Sequence, residues 1–321
     1  MSTSSSPSVW HAGEQLLQAQ LGVADKMQAI GQRVVRTVMP DQHRDFYRQL
    51  PFIVLGSVDP AGDAWATFLE GQPGFLASPS PVQLDMHAHP APDDPAAAGM
   101  AAGAPVGLLG IEMHTRRRNR MNGVLTPLED GWRVQVEQSF GNCPRYIQLR
   151  DYSFARDPAQ DHPGQPESMA TLDASARELI GMADAFFVAT YADVDERRQV
   201  DVSHRGGKAG FVRVDAEGAL TVPDFNGNLF FSTLGNIVLN GRAGLLFVDY
   251  ANGDVLQMSG QAELILDSPE IAAFEGAERL WTFRPQHIVR RRAALALRWR
   301  FQEQGWSPYV LATGQWPRAG A

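Results

Sequence analysis

The stretch DVSHRGGKAGF, residues 201–211, places Ser203, Arg205, Gly206, Gly207 and Lys208 where a strand-like run turns. These residue types suit a phosphate. A guanidinium supplies a planar fork of donors, an ammonium a point charge, a hydroxyl one more donor, and glycines leave backbone N–H groups accessible. Strand alternation puts Asp201, Ser203 and Arg205 on one face and Val202 and His204 on the other. The spacing matches none of the standard phosphate loops, so a solvated basic turn is an equal alternative. A second basic element is TRRRNRMNG, 115–123, where alternation gives Arg116, Arg118 and Arg120 a common face. Its plain alternative is a charged edge strand that discourages aggregation. The third is TVPDFNGNLFFSTLGNIVLNGRAG, 221–244: a strand ending at Pro223, a turn containing Asp224 and Asn228, then a helix closed by Asn240-Gly241. That helix carries Leu229, Phe230, Thr233, Leu234, Ile237 and Val238 as core residues, with Asn236 as the polar exception. A helix amino terminus beside the basic turn adds to anion affinity.

Other constellations are weaker. His87 and His89 in DMHAHP alternate as metal ligands can, but the neighbourhood is a Pro/Ala loop and further ligands are missing, so no metal is expected. Cys143, the only cysteine, excludes an intrachain disulfide and a cysteine cage, and it has no partner thiol. No side chain stands out as a catalytic acid or base.

The elements that must position these groups are mostly strands. Residues 13–50 read as helical, with Met27, Ile30, Val34, Val35 and Val38 at helical spacing through 25–39, Asp25 as cap and Pro40 as stop. PFIVLGSVDPAGDAWATFLE, from 51, reads as a hairpin. Residues 88–105 form a Pro/Ala/Gly loop, 106–140 return to strand patterns, and 156–170 form the main linker. A helix is expected at 171–183 and strands from 185. RPQHIVRRRAALALRWR, 284–300, lacks a clear apolar stripe and reads as a solvated face packed on the second half.

The second half repeats the first. PFIVLGSVD (51–59) resembles AFFVATYAD (185–193), and TFLEGQPGFL (67–76) aligns without gaps on SHRGGKAGFV (203–212). APVGLLGIEM (104–113) resembles GRAGLLFVDY (241–250), and RNRMNG (118–123) falls on VLQMSG (255–260). The order implies a duplicated β-rich domain, with 1–50 as a helical segment, 51–165 as the first copy and 166–321 as the second. Arg205 then has Leu69 as its counterpart and Lys208 has Gln72, while Gly207 has Gly71. One copy keeps the basic turn and the other keeps TRRRNRMNG, so both together can complete one anion site.

The chain has 321 residues and a formal net charge of −8, which argues against general nucleic-acid binding. No apolar run reaches the ~20 residues that span a bilayer. MSTSSSPS lacks the basic start and apolar core of a signal peptide, so a cytoplasmic protein is expected.

DVSHRGGKAGFVRV, TVPDFNGN, TLGNIVLN and AGLLFVDY resemble the pyridoxamine 5′-phosphate oxidase-like flavin-binding superfamily in its double-domain bacterial branch. HTRRRNRMNG and GNCPRYIQ are similar to that branch's first-copy motifs. The resemblance covers about residues 10–265. It implies a mainly β protein with flanking helices (α+β), built as two tandem split β-barrels that pair as an intrachain pseudo-dimer, monomeric or further dimerised. It also implies FMN between the barrels. Ser203, Arg205 and Lys208 would then hold the phosphate, with Asp224 and Asn228 near the ribityl chain or ring edge, and Gly206 and Asn236 as further cofactor-binding residues. Arg118 and Arg120 would reach the flavin from the first barrel, and Asn142 and Arg145 would line its rim. In oxidases of pyridoxamine phosphate a Ser-Arg-Lys segment follows; here Asn228 precedes Leu229 and Phe230, so vitamin B6 oxidation is not expected. The expectation is a flavin-dependent oxidoreductase acting on a small molecule or electron acceptor. Its alternatives are a non-catalytic FMN carrier or sensor, or a split barrel that binds haem or a deazaflavin.

Overall fold

The computed structural model describes residues 8–160 and 165–317. Three helices come first: α1 (Ala12–Gln20), α2 (Ala24–Val34) and α3 (Asp41–Arg48). The helix expected across 25–39 stops at Val34, because Arg36 leaves it to bridge Ser139 of a later strand. Asp25 lies in the first turn of α2 without capping it, and Pro40 stands at the N-cap of α3 instead of ending a helix.

The first sheet contains β1 (Phe52–Val58), β2 (Ala64–Glu70), β3 (Leu76–Ser80), β4 (Gln83–Met86), β5 (Pro105–Glu112), β6 (Arg117–Leu128) and β7 (Gly131–Gly141). Their order is β2-β1-β5-β6-β7-β4-β3. Two short strands follow, β8 (Arg150–Phe154) and β9 (Pro166–Met169), and then α4 (Ala174–Met182). The second sheet contains β10 (Ala185–Val194), β11 (Arg197–Gly206), β12 (Arg213–Val214), β13 (Leu220–Phe225), β14 (Arg242–Val248), β15 (Val255–Ile265) and β16 (Ala277–Arg291), with α5 (Ser232–Asn240) and α6 (Pro269–Ala272) between strands. Its order, β11-β10-β14-β15-β16-β13-β12, is that of the first sheet strand for strand. Finally β17 (Leu297–Phe301) pairs with β8, and α7 (Pro308–Leu311) closes the described chain. The protein is mainly β with few helices. Among the described residues no helix is long and apolar enough to cross a membrane.

The strands at the centre read as continuous apolar runs because both of their faces are buried. In β1, Ile53 and Leu55 enter the core of the first sheet, while Phe52 and Val54 face a second core shared with Phe187, Ala189 and Leu246. In β10, Phe186 and Val188 enter the core of their own sheet. Phe68 anchors the shared core, with Phe52 stacked at 4.7 Å and Phe187 edge-on at 5.0 Å. Each such ring contributes about 1.5–3 kcal/mol on burial, so the two sheets are held together by a core and not by a loose contact.

The pairing registers refine the repeat. Val54 pairs with Phe68 and Leu109, and Phe187 pairs with His204 and Leu246. Position 54 therefore corresponds to 187, one residue away from the block alignment of 51–59 on 185–193, whereas the alignment of 67–76 on 203–212 agrees with the pairing. Gly56 and Ala189, equivalent in this register, face each other, with a Cβ on Gly56 3.1 Å from that of Ala189.

Three other expectations change. Residues 284–300 are the end of β16, a turn and most of β17; Arg290 and Arg291 are buried in ion pairs and do not form a solvated face. The linker at 156–170 contains β9, which pairs with β16, and its residues 161–164 lie outside the described residues. The helical segment and the tail both cross the expected boundaries: Trp10 and Met27 pack on Phe140 and Phe230, and β17 joins β8 of the other half.

Candidate functional site

β6 and β11 cross where the halves meet, and the crossing is fixed by Arg120. Its Nε donates to the Val202 carbonyl at 3.1 Å and its Nη2 pairs with Asp201 Oδ2 at 2.7 Å, and it also reaches Ser203 Oγ. Arg120 and Asp201 are both buried. The alternation expected in β11 holds: Asp201 and Ser203 meet Arg120, and His204 turns into the shared core against Phe187. Arg118, two residues before Arg120, stays on the same face. Its Nε donates to the Cys143 carbonyl at 2.6 Å and its Nη1 to the His204 carbonyl at 3.5 Å. Arg116 does not share that face. It lies in the turn before β6 at φ 60°, and its guanidinium is used by the carbonyls of Ile147, Gly305 and Trp306.

A cleft of about 840 Å³, its mouth included, opens beside this crossing. It brings together Arg118, Arg120, Asn142, Arg145, Ser203, Arg205, Gly206, Asp224 and Asn228 from the sequence reading. Gly206 is there for close approach, since a Cβ would stand 2.0 Å from the Tyr146 carbonyl oxygen. Asn228 donates to Asn142 Oδ1 at 3.2 Å, joining the two halves at the rim, and Arg145 holds Asn226. Two predicted residues lie elsewhere. Lys208 donates to the Thr313 carbonyl, and Asn236 faces Thr190 at 3.0 Å behind the cleft.

The cleft also contains residues that the sequence reading passed over. Arg279, buried on β16, binds Asp224 Oδ2 at 2.6 Å while Arg205 holds Oδ1 at 2.5 Å. No local motif marks Arg279; only the pairing of β13 with β16 brings it to Asp224. Tyr146, with φ 62°, lies on Phe225 at 5.2 Å and donates to the Asn226 carbonyl. The helix expected from Leu229 begins at Ser232, and Leu229 and Phe231 are both left-handed at φ 63°. Three strained non-glycine residues thus line one cleft, which is where such strain is commonly kept.

The electrostatics are one-sided. Among the described residues, five arginines and a single carboxylate, Asp224, line the cleft. Arg118 has no acid partner among the described residues. Burial, with Arg120 and Arg205 nearby, pushes its guanidinium down to about 9 against the Cys143 contribution, so it keeps its proton at neutral pH under strain that an anion would relieve. Arg205 Nε is buried with no acceptor. The amino end of α5 has no side-chain cap, and Ser232, Thr233 and Leu234 of its first turn line the cleft. Thr233 donates to Ser203 Oγ at 2.8 Å. His204 is held neutral by burial and by Arg118, Arg150 and Arg205. Burial raises the Tyr146 phenol to about 12, so it acts as a neutral hydroxyl. Among the described residues no cluster of His, Cys, Asp or Glu could hold a metal; His87 meets Asp130 and His89 lies near Trp132.

No family model matches the chain, and no curated protein matches it. Solved structures do resemble part of it. HupZ of Group A Streptococcus is 17% identical, with a TM-score of 0.30, covering 37% of this chain and 92% of that one. A FAD-binding protein from Mesorhizobium loti is 12% identical, with a TM-score of 0.27, covering 39% of this chain and 97% of that one. The FAD binding protein from Mycobacterium smegmatis is 15% identical, with a TM-score of 0.26, covering 38% and 98%. With TM-scores of this size, the functional reading has to come from the side chains themselves.

Proposed function

We propose that this chain is an FMN-binding flavoprotein whose halves are tandem split β-barrels, duplicated and paired as an intrachain pseudo-dimer. The observation that carries the reading is a cleft whose cations and donors lack an anion among the described residues: Arg118 without a counter-ion, Arg205 Nε without an acceptor, and a helix amino end with no side-chain cap. Such a set is built for an anion with several acceptor oxygens, which a phosphate is. Beside it lie Tyr146, Phe225, Leu229, Phe230 and Phe231, an apolar and aromatic wall suited to a planar ring. Arg118, Arg120, Ser203 and Arg205 would hold the phosphate end, and Asn142, Arg145 and Asn228 the rim. A bound flavin supplies two-electron redox chemistry, and the excess of guanidinium charge favours its reduced, anionic form. We infer a flavin-dependent oxidoreductase acting on a small molecule or electron acceptor.

A carrier or sensor is the second reading, and one observation favours it. Asp224, the only carboxylate lining the cleft among the described residues, is already bound by two arginines, Arg205 and Arg279. The absorption spectrum of freshly purified protein tests the cofactor: flavin bands are expected, and a haem or deazaflavin spectrum would refute FMN. Oxidation of NADH or NADPH in air by FMN-loaded protein then separates the readings, since absence of turnover with both favours the carrier.

A further inference from the structure

Behind the cleft lies a second, smaller cavity, bounded by His11, Glu14, Asn122, Asp201, Ser232 and Asn236. Helix α1 reaches it by packing closely on α5; a Cβ on Gly13 would stand 2.1 Å from the Gly235 carbonyl oxygen. Two oxygens at this cavity, Asp201 Oδ1 and Asn122 Oδ1, are buried with no donor, and Asn236 Oδ1 has none but the neighbouring His11 ring. Asp201 is 4% exposed and Asn236 2%, so both are shielded from bulk solvent. The remaining acid there is Glu14, 6% exposed. Its Oε2 accepts the His11 N–H at 3.0 Å as part of a helix cap, and it stands 3.6 Å from the His11 ring.

We propose that Glu14 carries the missing proton as a neutral carboxylic acid, and that this proton is coupled to anion binding in the cleft. The charged and titratable groups facing Glu14 are His11 ahead of its own helix, Asp201 of β11 and Arg120 of β6; α5 contributes Ser232 and Asn236. Burial raises the Glu14 carboxyl to about 8, with Asp201 adding to the rise and the His11 N–H, Ser232 and Arg120 opposing it. His11 moves the other way and stays neutral. The link to the cleft is direct. Asp201 Oδ2 holds Arg120, and Ser203, which lines the cleft, points to the same oxygen at 3.4 Å.

The sign follows from linkage. Below its titration Glu14 is neutral, and Arg120 shares its charge with Asp201 alone. Above it a second negative charge stands beside Asp201, the field of Arg120 on the cleft weakens, and an anion binds less well. Reciprocally, an anion entering the cleft draws a proton onto Glu14. The coupling rests on reading the cleft as an anion site, and the proton itself does not.

Sulfate is the probe, because its charge is fixed between pH 6 and 9. In wild type, sulfate is expected to bind about fivefold more weakly at pH 9 than at pH 7, with proton uptake on binding at pH 8 read from buffer-dependent titration enthalpy. Glu14→Gln keeps the helix cap and should make affinity flat between pH 6 and pH 8, where Arg118 of the cleft keeps its proton, while His11→Asn should leave the dependence in place. The apoprotein's infrared spectrum should show a neutral carboxylic acid band at pH 7 that Glu14→Gln removes. A wild type without that band overturns the proton; a Glu14→Gln protein with the wild-type pH dependence, or binding without proton uptake, overturns the coupling. Failure of wild type to bind sulfate at either pH would overturn the anion cleft and the coupling together, while the band would still decide the proton.

Discussion

The registers equate Ser203 with Thr67, Arg205 with Leu69, Arg118 with Val255 and Arg120 with Gln257. These two sets of residues occupy corresponding places on opposite sides of the shared core, and they begin alike. Arg120 Nε donates to the Val202 carbonyl at 3.1 Å, and Gln257 Nε2 donates to the carbonyl of Ala66, the equivalent residue, at 3.0 Å. From that bond onward they differ. On the Gln257 side, Asp94 places a buried carboxylate against Gln257 at 2.9 Å, Arg291 at 2.9 Å and the Thr67 hydroxyl. Leu295, Leu297 and Trp299 pack into the same core as Val255 and Phe68. Glu70, standing where the cleft has Gly206, accepts the amides of Ala296 and Leu297 at 2.7 and 2.9 Å. One scaffold thus produces a cleft where donors lack an anion, and packed protein where the chain supplies its own. Asp94, Glu70 and the packing of Leu295, Leu297 and Trp299 together fill the place that stays open beside Arg120.

Removing the internal partner on each side tests this most severely. Arg120→Ala would leave Asp201 buried and unpaired, and a loss of about 3–5 kcal/mol is expected in denaturant unfolding. Asp94→Ala should cost somewhat less, about 3 kcal/mol, because Arg291 retains Asp93 at 3.0 Å. Sulfate should then raise the Tm of Asp94→Ala more than that of wild type, since an anion can replace the lost carboxylate. No such difference would mean that Asp94 fills space and does not stand in for an anion.

The next contrast is between arginines. Arg205→Ala should weaken FMN by about 1.5–3 kcal/mol, the value of a charge-assisted hydrogen bond, measured by fluorescence titration. Arg117→Ala should change it far less, because Arg117 points away and lies over Phe46 at 5.0 Å. Equal losses would move the anion out of the cleft. Stoichiometry sharpens the comparison further: one FMN per chain is expected, and two would show that the place closed by Asp94 opens in solution.

Much of the cleft was legible because its residues are local. Ser203, Arg205 and Gly206 follow one another along β11, and Arg118 and Arg120 share a face of β6 by alternation alone. The shared strand order of the two sheets was legible for a related reason, as Gly71 and Gly207 each sit against a phenylalanine four residues on, Phe75 and Phe211, with no room for a Cβ. What stayed hidden depends on separations that no window spans. Arg279 reaches Asp224 across 55 residues, Arg291 reaches Asp94 across 197, and α1 comes to α5 only in the folded chain. The 284–300 segment was misread because Arg290 and Arg291 look solvated until their distant carboxylates are known. The start of α5 was misplaced because Leu229 and Phe231 take backbone angles that a bulky side chain rarely adopts.

Lys208 gives the smallest effect and the narrowest test of how the turn works. Its charge sits in the same turn as Arg205, and the family resemblance implies that both hold one phosphate, while spacing alone leaves a solvated turn as an equal alternative. Its Nζ instead donates to the carbonyl of Thr313, a residue near the end of the described chain, and it does not line the cleft. The corresponding Gln72 sits in a turn of the same shape, so the ammonium is not needed to form that turn. Lys208→Ala should therefore cost about 1 kcal/mol of stability for one hydrogen bond and leave FMN affinity unchanged. Denaturant unfolding and FMN titration of the same preparation read the two quantities separately. A tenfold loss of FMN affinity at unchanged stability would show that Lys208 leaves Thr313 for the ligand, and would extend the cleft's cation set to the whole basic turn.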